Sequence, residues 1–178
     1  DNYTKYISDI NKTCVTLFSD AASATLITKS KNEINEFKFL TDGSGSQFVK
    51  LIDNYKKKPS KKTPELFMDG RNMFYFALST VPKIVKKILQ FEKKNNKKIK
   101  FYIFHQASKL IVDSIIEKLN LPKEKVYINY NKFGNTVSST IPICIKELIK
   151  TNKIRRGDRI LVCGFGVGLS AAATILKF

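Results

Sequence analysis

Residues 98–119 read KIKFYIFHQASKLIVDSIIEKL. KIKFYIF (98–104) is a short run of aromatic and β-branched residues, the pattern of a buried strand. The run stops at His105. Apolar positions then return at helical spacing, at Leu110, Ile111, Ile115 and Leu119, so a helix starts near Gln106. A buried strand feeding a helix is the unit of layered α/β domains.

The same alternation extends in both directions. TCVTLFSDAASATLITK (13–29) reads as two short strands around a small polar turn centred on Asp20. NEFKFLTDGSG (35–45) reads as a strand broken at glycine, and the lysine-rich 53–63, with Pro59, as a loop. From Pro64 a helical pattern sets in. Phe74, Ala77, Leu78, Val81, Val85, Ile88 and Leu89 share one stripe, which predicts a helix to about Gln90 with Pro82 as a candidate kink. Beyond Leu119, LPKEKV (121–126) ends the helix and VYINY (126–130) reads as a short strand. NKFGNT (131–136) is a turn. SSTIPICIKELIK (138–150) is a helix with Ser138 or Ser139 near its start. RRGDRILVCGFG (155–166) is a turn, a strand and a glycine loop, and LSAAATILKF (169–178) is a last strand. The expected class is α/β with a layered sheet.

The 178 residues suit one domain, or one half of a duplicated fold, and 43% are hydrophobic. No apolar run reaches the ~18 residues of a membrane span, and no signal peptide is evident. A cytoplasmic protein is expected, in keeping with cysteines that read as reduced thiols. The opening at Asp1, without a Met, reads as an excised fragment. Cys14, Cys144 and Cys163 are odd in number and show no CxxC spacing, so they read as reduced thiols and not as a zinc or disulfide framework. Net charge is +17, almost all from lysine, with runs at KKKPSKK (56–62) and KKNNKK (93–98). A nucleic-acid groove favours arginine forks and interleaved aromatics, which these runs lack. They read as solvated loops, the functional alternatives being an attractive field for an acidic partner or a basic nucleic-acid-binding domain.

Three polar points mark the ends of apolar elements. His105 is the only histidine of the chain. It follows a strand, where ligand sites of α/β sheets gather, and precedes a helix N-terminus, which favours neutral imidazole. Asn135 lies in FGNT between a strand and a helix. Its ordinary role is a helix cap beside Gly134 at positive φ; its functional role is a second neutral donor. GFGVG (164–168) faintly matches a dinucleotide loop, but only ten residues follow it and none is acidic. As a tight turn between two strands it can expose N–H groups as an oxyanion hole. Together the three describe a site that stabilises negative charge on a carbonyl oxygen without a metal.

The sequence resembles the C-terminal half of β-ketoacyl-acyl carrier protein synthase III, one of the thiolase-like condensing enzymes. The resemblance rests on TCVTLFSDAASA (13–24), MDGRNMFYFA (68–77), FHQASKLI (104–111), LPKEKVYINYNKFGNTVSSTIP (121–142), GDRILVCGFGVGLS (157–170) and the terminal LKF. It implies a βαβαβαββ half-domain over 1–178 and a decarboxylative condensation of a coenzyme A-derived acyl group with malonyl-acyl carrier protein. The acyl group rides on a cysteine of the N-terminal half. The resemblance further implies that His105 and Asn135 stabilise the malonyl enolate and that the Gly166–Val167 backbone forms the oxyanion hole. It implies that Met68, Gly70, Phe74, Ala107 and Ser108 line the pantetheine tunnel, and that Lys109 and Lys118 face the carrier protein. No metal or resident cofactor is implied. The implied partners are acyl carrier protein, a coenzyme A thioester, the N-terminal half, and a second copy in a homodimer, with no nucleic acid or membrane. The sequence departs from the family pattern at Leu110, where an arginine is frequent, at Val167, where glycine is common, and at Ala171, where a bulky aromatic can occur. None of its cysteines matches the nucleophile, so the chain alone should be inactive. A related acyltransferase of specialised metabolism, or a scaffold with a vestigial site, are the competing readings.

Overall fold

A computed structural model describes residues 1–8, 11–29, 34, 36–52 and 64–178. The lysine run expected to form a loop at 53–63 lies outside them. Among the described residues the strands are β1 (Lys38–Thr41), β2 (Val49–Ile52), β3 (Glu65–Met68), β4 (Phe101–Phe104), β5 (Arg159–Gly166) and β6 (Ser170–Lys177). The α-helices are α1 (Lys12–Val15), α2 (Gly70–Lys94), α3 (Lys109–Leu119), α4 (Tyr130–Phe133) and α5 (Thr140–Lys150).

The main sheet is mixed, in the order β1-β6-β5-β4. β4 and β5 run parallel; β5–β6 and β6–β1 are antiparallel. β2 and β3 form a separate antiparallel pair. Side chains alternate across the sheet with period two. Tyr102, Phe104, Leu161, Cys163 and Phe165 pack beneath α2 and α3. Ile103, Ile160 and Val162 turn the other way, onto Cys144 and Leu148 of α5. The result is helix, sheet, helix, and it explains why β4 and β5 are apolar on both faces.

The helices begin and end where their side chains allow. Asp69 caps α2 by accepting from Asn72 N–H, and Ser108 caps α3 by accepting from Ile111 N–H at 3.2 Å. Asn120 closes α3 in the left-handed conformation. α2 runs through Pro82 to Lys94. Near its end Glu92, 2% exposed, accepts Arg159 Nη2–H at 2.7 Å and Nε–H at 3.0 Å, tying the helix to the start of β5.

Three expectations need correction. Residues 13–29 do not form two strands: α1 takes Lys12–Val15, and the rest carries one isolated bridge, Phe18 to Asn135. Asn11 accepts from Cys14 N–H, an N-cap that turns the chain helical. The helix expected from Pro64 starts at Gly70, because Glu65–Met68 pairs with β2. To the sheet VYINY adds only a bridge between Val126 and Tyr102 and one backbone hydrogen bond, Tyr127 N–H to Tyr102 C=O, before the chain turns into α4.

Candidate active site

His105 extends β4 by one residue, its N–H donating to Cys163 C=O at 2.9 Å. Its ring stands edge-on to Phe165, with centroids 5.3 Å apart, and Nδ1 lies 2.7 Å from Thr140 Oγ1. Burial lowers the imidazole pKa to about 4, so the ring is neutral near pH 7. The neutrality expected from a helix N-terminus thus has another cause: α3 starts only at Lys109, and burial lowers the pKa. Gln106, fully buried, fixes the turn after the histidine. Its amide donates to Phe104 C=O at 2.8 Å and its Oε1 accepts Asn129 N–H at 3.0 Å.

Asn135 is buried and its amide orientation is set by two bonds. Oδ1 accepts Val137 N–H at 2.9 Å, and Nδ2 donates to Ala107 C=O at 3.2 Å. One N–H of Nδ2 remains for a ligand. Asn135 does not cap α5, which starts at Thr140; it makes a local turn onto Val137. Val137 has φ +53°, a conformation a β-branched residue rarely adopts.

His105 and Asn135 open on one cavity of about 650 Å³, within the range of small-molecule sites. Gly164, Gly166, Val167 and Ala171 form its sheet wall, and Met68, Ala107, Ile111 and Met73 another side. Tyr3 and Phe18, stacked at 5.6 Å, close a third. Among the described residues, no lining side chain carries a formal charge. None of these residues forms a cluster of three or more His, Cys, Asp or Glu that could hold a metal.

Of the expected tunnel residues, Met68 and Ala107 line this cavity and Gly70, Phe74 and Ser108 do not. Gly70 is exposed at the start of α2, Phe74 packs edge-on to Tyr75, and Ser108 caps α3. Lys109 pairs with Asp113, which also accepts from Tyr130 Oη at 3.3 Å. Lys118 is exposed nine residues further along α3, roughly 14 Å away at 1.5 Å per residue. Leu110, beside Lys109, is 66% exposed. Sequence reasoning missed Thr140, Met73, Tyr3 and Phe18. Thr140 opens α5 five residues after Asn135, and its place in the sequence does not set it apart from any other helix-opening threonine. Tyr3 and Phe18 carried no signal.

All three cysteines are buried and none lines the cavity. Burial raises each thiol pKa, that of Cys144 to about 12. No thiolate of this chain is poised to attack a ligand there.

Residues 89–178 match the family model "3-oxoacyl-[acyl-carrier-protein (ACP)] synthase III C terminal". A beta-ketoacyl-[acyl-carrier-protein] synthase III from Synechocystis sp. is 30% identical over 189 residues, covering 100% of this chain and 57% of the relative. The enzyme of that name from Aquifex aeolicus is 34% identical over 168 residues, covering 93% and 51%. The crystal structure of 3-oxoacyl-[acyl-carrier-protein] synthase III from Aquifex aeolicus superposes with a TM-score of 0.79 at 29% identity, over 99% of this chain and 55% of that one. Another 3-oxoacyl-(acyl-carrier-protein) synthase III structure gives 0.82 at 26% identity, over 100% and 58%. The chain therefore spans about half the length of the curated relatives it matches, and its fold is the C-terminal half of the thiolase-like fold. Its matched segment runs from the last turns of α2 through both site residues to the end of β6, and by that match the chain belongs to the family of 3-oxoacyl-[acyl-carrier-protein] synthase III C-terminal domains.

Proposed function

We propose that this chain is the C-terminal half, over 1–178, of an acyltransferase that starts fatty acid synthesis by condensing a coenzyme A-derived acyl group with malonyl-acyl carrier protein. The observation that carries the reading is the convergence of a neutral imidazole and a free amide N–H on one apolar cavity. Decarboxylation breaks the bond between the malonyl α-carbon and its carboxylate. The electron pair moves into the thioester, CO₂ leaves, and charge gathers on the carbonyl oxygen. His105 and Asn135 donate to that oxygen. Such donors act without reorganisation in a site that excludes water. The enolate carbon then attacks the acyl group on a cysteine of the complementary half, and the Gly166–Val167 backbone receives the resulting oxyanion. The thiolate is the leaving group.

Met68 and Ala107 border the route of the pantetheine arm in this reading. The carrier protein docks over Lys109 and the exposed Leu110, with Lys118 at the far end of α3. The reaction draws on no resident metal or cofactor. The complete protein works in the cytoplasm as a homodimer.

The test uses the chain combined with its complementary half. His105→Ala and Asn135→Ala should each slow malonyl decarboxylation about 10²–10³-fold while acyl-enzyme formation, which passes through no enolate, is spared. The double variant should be worse by less than the product, because both donors serve one oxygen. Normal decarboxylation by His105→Ala would refute the assignment.

A further inference from the structure

The role proposed for His105 needs a proton on Nε2, because a substrate carbonyl oxygen only accepts. A neutral imidazole carries a single N–H, and which nitrogen holds it is set by the bond the other makes. Nδ1 lies 2.7 Å from Thr140 Oγ1, and that same oxygen lies 3.0 Å from Val137 C=O. The hydroxyl has one proton and two acceptors within reach. If it donates to Val137, Nδ1 must hold the ring proton and Nε2 can only accept. If it donates to Nδ1, Nε2 carries the proton and faces the substrate as a donor.

Two observations favour the second arrangement. Val137 C=O already accepts Thr140 N–H, the bond that closes the 3-10 turn Val137–Ser139 just before α5, so it stays satisfied when the hydroxyl turns away. The contact with Nδ1 is also the shorter of the two. The ring cannot easily swing to another partner: Phe165 packs edge-on to it, and His105 N–H is held by Cys163 C=O. We propose that Thr140 is a positioning residue whose hydroxyl donates to His105 Nδ1 and so holds the imidazole as an Nε2–H donor. The inference rests on the reading of His105 as an enolate-stabilising donor. Val137 connects the two donors, since its N–H orients Asn135 and its C=O is the competing acceptor for Thr140.

His105 is the chain's only histidine. The chain labelled with ¹⁵N-histidine and combined with its unlabelled complementary half therefore gives one set of imidazole signals. Expected is a protonated Nε2 and an unprotonated Nδ1 shifted by an accepted hydrogen bond. Thr140→Ser should keep this signature. Thr140→Val, nearly isosteric, should lose the Nδ1 shift and slow malonyl decarboxylation about tenfold, less than loss of a direct donor at ~10²–10³. Acyl-enzyme formation should stay within about twofold of wild type, and Thr140→Ser should restore most of the decarboxylation rate. A proton on Nδ1 in the wild-type protein, read without any variant, would overturn the proposal. So would normal decarboxylation by Thr140→Val while His105→Ala is impaired. If His105→Ala decarboxylates normally as well, the reading of His105 itself has failed.

Discussion

At the scale of single residues, His105 makes a pH prediction with a fixed sign. The imidazole titrates near 6.5 when unfolded and near 4 in the fold. Between those values the unfolded chain binds the extra proton. The stability contribution is therefore complete above pH 6.5 and is lost as pH falls toward 4, by up to about 3 kcal/mol at ~1.4 kcal/mol per unit. Asp20, Asp42 and Asp69 have pKa values held below 3.8, mainly by hydrogen bonds from Thr4, Ser44 and Asn72, so their contributions fade only at lower pH. Urea midpoints of the reassembled protein between pH 7 and 4.5 should fall more steeply for wild type than for His105→Gln; parallel curves would show that the ring is not buried as a neutral group. The identity of His105 and Asn135 as cavity residues was legible in the sequence, because a lone histidine and a Gly-Asn turn both interrupt apolar runs. Their partners were not. Thr140 looks like any helix-opening threonine until the fold brings it 2.7 Å from an imidazole 35 residues away.

Between elements, Gly134 joins the N-terminal segment to the site. It has φ +67° and ψ −160°, a region open almost only to glycine, and an added Cβ would lie 2.4 Å from Ser19 Oγ. At the next residue, Asn135 N–H donates to Leu17 C=O at 3.0 Å and Ser19 N–H donates to Asn135 C=O at 2.9 Å. Gly134→Ala should cost about 1–3 kcal/mol from the backbone alone and push Leu17 and Phe18 away from the cavity they line. Gly157→Ala is the control: φ is +92°, but the new Cβ would meet no atom within 4 Å and the site is elsewhere. Both should lower the urea midpoint, and only Gly134→Ala should also weaken ligand binding in the cavity. Equal binding by the two would separate the N-terminal segment from the site. The same segment shows why part of the fold escaped sequence reading. α2, α3 and α5 carry stripes, and β4, β5 and β6 are apolar runs bounded by turns. Residues 13–29 have strand-like composition, but one bridge at Phe18 is their only ladder contact among the described residues. Four-residue β3 was hidden because its apolar positions merge with the stripe of α2 that follows.

For the whole molecule, the described surface exposes large apolar groups near the β1 edge of the sheet. Phe37 and Phe39 stack at 5.5 Å, Phe37 is 42% exposed and Phe39 72%. Phe39 also lines the cavity, so this surface is continuous with the site. Contiguous apolar patches above a few hundred Å² mark interfaces, and the chain spans about half the length of its relatives. The complementary half is the expected cover, and the chain without it should self-associate. Its +17 charge opposes that association. Added salt shortens the Debye length from ~10 Å at 0.1 M to ~3 Å at 1 M, so it should strengthen association by screening lysine repulsion. Binding to nucleic acid would respond in the opposite sense, weakening steeply with salt. Sedimentation of the chain at 0.05 M and 0.5 M salt, with and without the complementary half, reads both effects. Expected are larger species at high salt and a single stable complex when the half is added. A chain that stays monomeric at both salts and ignores the other half would show that this apolar surface is not the contact between halves.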